Sequence, residues 1–308
     1  MKIVFLDAAT LGDTSLAPIA ELGELVCYPT STREESLERV GDCEVLIVNK
    51  LNVDAELMDR APKLRLICEA ATGVNNIDLK AAQERGIPVR NAAGYSTNAV
   101  VQNTFAHLLS LVGHASYFDD YVKSGRYSSS NMFCDISRPF MQLCGRTMGI
   151  IGMGNIGQKV AAIATAFGMN VVYYSTSGTS HCKDYPSLEL SQLLKQSDVV
   201  SIHAPLNEKT NNLIRGKELA MMKKTACILN LGRGGIVNEA DLAAAIDAGI
   251  IAGAAVDVFV TEPLPASSPL LAVKHKERLS LSPHIAWASR EALDRLVAIV
   301  AENIRQGF

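Results

Sequence analysis

Three short stretches in the second half of the chain place an arginine, a carboxylate and a histidine just past apolar runs that read as strands. Ile228-Leu229-Asn230-Leu231-Gly232-Arg233-Gly234-Gly235 leads from such a run into a glycine-rich bend with one cation, Arg233. Glycines beside a guanidinium let a small anion approach, and the planar fork can hold a carboxylate through two parallel hydrogen bonds. The stretch 254–263 runs through Asp257 to Glu262 and Pro263. Leu281-Ser282-Pro283-His284-Ile285-Ala286-Trp287 presents His284, a residue type suited to giving and taking a proton during turnover. Singly, each has a plainer explanation: a surface arginine in a turn, a solvated loop carboxylate, a structural histidine. As a set they match what reduction of a keto acid requires, namely a carboxylate clamp, a proton donor at the carbonyl oxygen and a hydride source opposite. Glu262, if bonded to the far nitrogen of His284, would favour the protonated ring and fix its orientation.

The hydride source is legible upstream. Gly152-Met153-Gly154-Asn155-Ile156-Gly157 follows the short apolar run 147–151 and opens an alanine-rich run with helical spacing. Between a strand and a helix this GxGxxG pattern has a mechanism. Gly152 permits the tight turn, Gly154 lets backbone approach a pyrophosphate, and Gly157 lets helix and strand pack closely. Exposed N–H groups and the positive end of the helix dipole then hold the phosphates. A dinucleotide site is expected, and the remaining question is which dinucleotide. Enzymes that bind NAD commonly carry an acid about 20 residues past the loop, on the ribose hydroxyls. Here the second strand runs into Ser175-Thr176-Ser177, and no acid follows until Asp184. Nothing would repel a 2′-phosphate, yet no arginine stands there to attract one. NAD is expected, with NADP permitted.

Positioning these residues calls for strands alternating with helices, and the chain alternates from end to end. Strands are expected at 2–6, 25–28, 45–48, 66–69 and 89–91, with helices at 16–22, 34–40, 55–60 and 79–85. A long helical pattern covers 98–112, and 113–144 is mixed, with Ser128-Ser129-Ser130 as a loop. A second series follows, with strands near 147–151, 171–174, 198–202, 226–230, 253–257 and 279–281. Helices near 156–167, 188–195, 217–221 and 239–248 intervene. The tail, 290–306, is amphipathic, with Leu293, Leu296, Val297 and Val300 on one face. The expected fold is α/β: two Rossmann-like or flavodoxin-like domains with parallel sheets and an interdomain cleft. Residues 1–98 with 288–308 would form a substrate domain, and 99–287 an inserted dinucleotide-binding domain.

Composition narrows the class. A chain of 308 residues suffices for two domains, and a net charge of −3 gives no general attraction for nucleic acid or anionic membrane. The opening apolar run is too short for a signal peptide, and no apolar stretch is long enough to span a bilayer. Seven scattered cysteines without a CxxC pair imply reduced thiols in the cytoplasm, with Cys68 and Cys227 as core filler. His107, His114, His181 and His275 read as structural or solvated, and no residue set has metal-ligand spacing.

The motifs GMGNIG, NLGRGG, DVFVTEP and SPHIAW, in that order and context, resemble the D-isomer-specific 2-hydroxyacid dehydrogenase family. The resemblance includes Ala71-Thr72-Gly73-Val74-Asn75-Asn76-Ile77-Asp78 and Asn91-Ala92-Ala93-Gly94-Tyr95-Ser96-Thr97, and is strongest toward the glycerate dehydrogenase (hydroxypyruvate reductase) branch. It implies NAD(P)H-dependent reduction of a small 2-keto acid, hydroxypyruvate or glyoxylate, to the D-2-hydroxy acid, D-glycerate or glycolate. It implies Arg233, Glu262 and His284 as the catalytic trio. The backbone of Thr72, Gly73 and Val74 matches the substrate-carboxylate loop, and Lys50 and Trp287 are further substrate candidates with Arg233 and His284. Cofactor contacts are implied at Thr104, Gly152, Met153, Gly154, Asn155, Ile156, Gly157, Ser175, Thr176, Ala204, Pro205, Thr210, Leu231, Gly232, Arg233, Asp257, His284 and Ala286. His203 matches a cofactor-side position, no metal is implied, and a homodimer is. Corepressor-like, dinucleotide-sensing relatives of the same architecture share these motifs, and 3-phosphoglycerate dehydrogenase lies within the family. A methyltransferase with a glycine-rich loop would leave the trio unexplained.

Overall fold

The structure, a computed structural model, describes residues 1–179 and 182–307. His181 therefore lies outside the described residues, as does Ser180 of the run after Ser177. The chain divides into two compact units, Met1–Ser96 with Ala288–Phe308, and Thr97–Trp287.

The first unit begins with β1 (Lys2–Phe5), α1 (Ala17–Ala20), β2 (Glu24–Cys27), α2 (Arg33–Arg39) and β3 (Val45–Val48). It continues with α3 (Ala55–Asp59), β4 (Leu66–Glu69), α4 (Leu79–Glu84) and β5 (Val89–Asn91). All pairings are parallel, in the order β2-β1-β3-β4-β5. Every residue of β3 and β4 is buried, which is why β3 reads as an unbroken apolar run and β4 as one up to its last residue, Glu69. Short polar side chains start the helices. Thr32 accepts from the Glu35 amide while the Glu35 carboxylate accepts from the Thr32 amide, and Asp54 and Asp78 cap α3 and α4. One face of the sheet, with Leu46, Val48 and Ile67, packs on Leu57, Met58, Ala81 and Ala82.

The second unit comprises α5 (Thr97–Gly113), α6 (Ala115–Lys123), β6 (Thr147–Ile151), α7 (Asn155–Ala166), β7 (Asn170–Tyr174), α8 (Leu190–Gln196), β8 (Val199–Ile202), α9 (Gly216–Leu219), β9 (Cys227–Asn230), α10 (Glu239–Asp247), β10 (Gly253–Val256) and β11 (Leu279–Leu281). Its sheet is also parallel throughout, in the order β11-β10-β9-β8-β6-β7. The chain steps outward from β6 to β7, then crosses back to β8 and continues the other way. Strand order thus reverses between β6 and β8, and in open parallel sheets ligands bind beyond the carboxyl ends at such a point. The last helix, α11 (Arg290–Gln306), belongs to the first unit and packs on α1, β4 and β5. Its buried face carries Leu296, Val297, Val300 and Ile304, while Leu293, expected on that face, is half-buried. The expected mixed stretch 113–144 contains α6, none of whose side chains is buried.

Candidate active site

Three strand ends of the second unit carry the expected trio. After β9, the chain bends through Leu231 and Gly232. Asn230 holds the bend from both sides, accepting from the Gly232 amide (3.2 Å) and donating to the Arg233 carbonyl (2.9 Å). The half-buried Arg233 guanidinium donates to the Gly232 carbonyl (2.8 Å). Gly234 has no room for a side chain, since a Cβ there would lie 1.9 Å from the Phe259 carbonyl oxygen. The arginine loop is therefore seated directly on the loop that follows β10.

That second loop is folded around Glu262. Its Oε1 accepts from the Phe259 amide (2.9 Å), and its Oε2 lies 2.7 Å from His284 Nδ1. The Val260 amide donates to Glu239 Oε1 on α10 (2.7 Å), anchoring the loop to the unit's outer layer. The carboxylate thus pairs one ring nitrogen of His284 and leaves Nε2 as the other. His284 itself has φ +54°, a left-handed conformation rare for residues with a Cβ. Its carbonyl accepts from the Trp287 indole (2.8 Å), and its amide donates to the Ser282 carbonyl (3.1 Å). Asp257, buried just past β10, accepts from the amides of Ile285 (2.9 Å) and Ala286 (3.0 Å) and from the Ser282 hydroxyl. The expected pairing of Glu262 with His284 and the seating of the Arg233 loop beside them are thus both present.

The glycine loop lies between β6 and α7. Gly152 has φ +93°, and a Cβ there would lie 2.7 Å from the His203 carbonyl oxygen at the end of β8. A Cβ on Gly157 would lie 2.3 Å from the Gly152 carbonyl oxygen, whereas Gly154 faces open space. Gly154 is the residue just before α7 and, being glycine, gives the helix no side-chain cap. A tight turn, a close helix and an uncapped, open first turn are what a dinucleotide pyrophosphate needs, so these residues fit the cofactor. Met153 and Ile156 are half-buried beside it, and Asn155 is exposed.

The other expected cofactor positions differ in exposure. Pro205 is exposed and Ala204 buried, and Gly232 would approach the Ala204 carbonyl at 3.3 Å if it carried a Cβ. Leu231 and Ala286 are buried. Thr104 and Thr210 are fully buried, and their hydroxyls donate within the chain, to Val100 (2.8 Å) and Pro205 (2.6 Å). Both side chains support backbone geometry. After β7 the hydroxyls of Ser175 and Ser177 donate to the Thr179 carbonyl, folding the turn on itself beside the half-buried Thr176. At the end of β8, His203 lies 2.8 Å from the Ser201 hydroxyl through Nε2, while Nδ1 is buried and unpaired. Burial pushes this ring down to about 4, so it is neutral at neutral pH.

In the first unit, the loop after β4 holds Thr72, Gly73 and Val74. Asn91 donates to the Thr72 carbonyl (2.6 Å) and Thr72 to the Ala92 carbonyl (3.3 Å), tying the loop to the end of β5. Lys50 is exposed and donates through its amide to Asp7 (2.7 Å). Beneath these loops lies a polar floor that the sequence reading did not single out. Asp7 accepts from the amides of Asn49 and Lys50, and Asn76 bridges Glu69 (2.9 Å) and the Leu51 carbonyl (2.9 Å). Glu69 is fully buried. Burial pushes its carboxyl up to about 8, the Asn76 bond opposing and the neighbouring Asp7 reinforcing the shift. A carboxylic acid closing an apolar strand was the one available signal.

Among the described residues, no group of His, Cys, Asp and Glu is arranged to hold a metal ion, and no helix is long and apolar enough to cross a membrane. Residues 105–286 match the family described as D-isomer specific 2-hydroxyacid dehydrogenase, NAD binding domain. The chain is 36% identical over 313 residues to the hydroxypyruvate reductase of Blautia hydrogenotrophica, covering 99% of this chain and 96% of that protein. It is 39% identical over 276 residues to the glyoxylate reductase of Korarchaeum cryptofilum, covering 87% and 80%. The D-lactate dehydrogenase of Aquifex aeolicus, solved with NAD and lactic acid, shares the fold with a TM-score of 0.86 at 26% identity, over 99% of this chain and 94% of that one. With the trio's loops, the glycine cradle and these likenesses in agreement, the chain belongs to the D-isomer-specific 2-hydroxyacid dehydrogenases, NAD-dependent oxidoreductases acting on the CH–OH group.

Proposed function

We propose that this enzyme reduces a small 2-keto acid, hydroxypyruvate or glyoxylate, to D-glycerate or glycolate in the cytoplasm, as a homodimer. The observation that carries the reading is the Glu262–His284 pair, at 2.7 Å, on a loop against which the Arg233 bend is seated. Bound NADH supplies the hydride. With Glu262 holding the Nδ1 proton, an imidazolium at His284 presents its second proton at Nε2, where a carbonyl oxygen can take it. The left-handed backbone of His284 and its carbonyl bond from Trp287 fix the direction in which the ring faces. Arg233 offers a fork for the substrate carboxylate. In the first unit, the backbone of Thr72, Gly73 and Val74 offers amides of the kind an anion needs. Gly152–Gly157 would hold the pyrophosphate, and the turn at Ser175–Ser177, without an acid, leaves NADPH admissible beside NADH.

The names of the similar reductases support a small 2-keto acid as substrate. A panel of hydroxypyruvate, glyoxylate, pyruvate and 3-phosphohydroxypyruvate, assayed with NADH and NADPH in parallel, tests the reading. Hydroxypyruvate or glyoxylate should give the highest kcat/KM, and His284→Ala should lower it about 10²–10⁴-fold, the usual contribution of general acid catalysis. Preference for the phosphorylated acid, or near-normal turnover by His284→Ala, would overturn it.

A further inference from the structure

We infer that His107, on α5, is a positioning residue for His284, acting through Ser282 and Asp257. The inference rests on the proposed role of His284 as proton donor. His107 is half-buried, with Nδ1 2.8 Å from the Ser280 hydroxyl and Nε2 2.9 Å from the Ser282 hydroxyl. Ser280 lies within β11, and Ser282 follows that strand two residues before His284. The imidazole therefore grips both the strand and the start of the loop that carries the catalytic ring.

Proton bookkeeping gives the grip a direction. Asp257 accepts from the amides of Ile285 and Ala286, and its Oδ1 also takes the single proton of the Ser282 hydroxyl. With that proton committed, Ser282 can only accept from His107, so Nε2 must carry a hydrogen. Nδ1 of the neutral ring then accepts from the Ser280 hydroxyl. Ser280, His107, Ser282 and Asp257 form one donor chain in which every proton has a single place. Burial lowers the His107 pKa against the opposing charge of Asp257, in keeping with a neutral ring.

The chain ends on both sides of residue 284. Ser282 holds the loop before it, and Ile285 and Ala286 hold it after. Between them His284 keeps its left-handed conformation, which a residue with a Cβ retains only where its surroundings impose it. Loosening either side would let the ring drift from Glu262, and a displacement of about 1 Å at a reacting group can cost about 10²-fold in rate.

Steady-state kinetics and ¹⁵N spectroscopy of the full chain test the inference. His107→Leu, which fills the space without either nitrogen, should lower kcat about ten- to a hundredfold and leave KM for the keto acid within about twofold. His107→Gln, which can again donate to Ser282, should recover most of the loss. Ser282→Ala should match His107→Leu, and the double variant should be no worse than either, as expected for two links of one chain. Imidazole ¹⁵N shifts should show His107 as the Nε2–H tautomer. Unchanged kcat in folded His107→Leu, multiplying losses in the double variant, or an Nδ1–H tautomer would each overturn the relay. If His107→Leu does not fold, Ser282→Ala and the tautomer decide. A wild-type enzyme that reduces no keto acid would instead refute the proposed function, while the tautomer would still test the hydrogen-bond chain.

Discussion

Glu262 has two tasks, one for each carboxylate oxygen. Oε1 accepts from the Phe259 amide and Oε2 faces His284 Nδ1, so the group that orients the histidine also closes its own loop. An amide cannot do both. Glutamine has one acceptor oxygen, and spending it on the Phe259 amide would set an N–H against the ring's N–H. It also removes the negative charge that an imidazolium needs beside it. Glu262→Gln is therefore expected to lower kcat about ten- to a hundredfold, with a smaller change in KM, because what is lost is proton delivery. Kinetics across the pH range would check this, and wild-type kcat in Glu262→Gln would remove the carboxylate from the mechanism. In the sequence this residue was distinguishable only in company. The strand end before it and the histidine 22 positions on gave it meaning, and the bond from Phe259 had no signature at all.

Strands were the most legible elements, because a parallel sheet covered on both faces is written as apolar runs bounded by polar turns. The strands β3 (Val45–Val48), β4 (Leu66–Glu69), β5 (Val89–Asn91) and β11 (Leu279–Leu281) lie where the runs place them. The helix α6 was less legible: Tyr117, Phe118 and Tyr121 lie half-buried along one side, but none of its side chains is fully buried, and Asp119 and Asp120 interrupt the apolar spacing. Nor was the environment of Glu69 at the end of β4, because burial there comes from loops that periodicity does not describe. That environment has a thermodynamic consequence. Glu69 titrates near 8 in the fold against an ordinary 4.5, so between these values the folded chain keeps a proton that the unfolded chain has released. Stability from this group should fall as pH rises from about 4.5 to about 8 and level off above, where both states are ionised. Glu69→Gln, a neutral replacement, should abolish that part of the slope. Urea unfolding midpoints of both proteins from pH 5 to 9 measure it, and parallel pH profiles would show that Glu69 is ionised in the fold at neutral pH.

At the scale of the molecule, one stretch is at odds with a lone, solvated chain. Between α6 and β6, Met132, Phe133, Ile136 and Phe140 are 62%, 87%, 79% and 70% exposed. Scattered apolar residues on a surface need no explanation, but four large ones within nine positions, two of them aromatic, are what a surface covered by a partner presents. Within 130–140 the charged residues are one acid, Asp135, and one base, Arg138, so the stretch offers a partner no net charge to recognise. A second copy of the same chain, as in the proposed homodimer, is the occupant that such an apolar surface fits. Each aromatic ring buried between two copies would remove roughly 150–250 Å² from water, so a few of them dominate such an interface. Light scattering after gel filtration should therefore give twice the monomer mass for the wild type at micromolar concentration. The combined change Phe133→Ser and Phe140→Ser should shift it to the monomer while leaving the chain folded by circular dichroism, because neither ring belongs to a buried core cluster. The Glu262–His284 contact lies wholly within one unit of one chain, so the monomer should keep measurable turnover. A wild type that elutes as a monomer, or a serine variant that remains a dimer, would show that these side chains are not the interface.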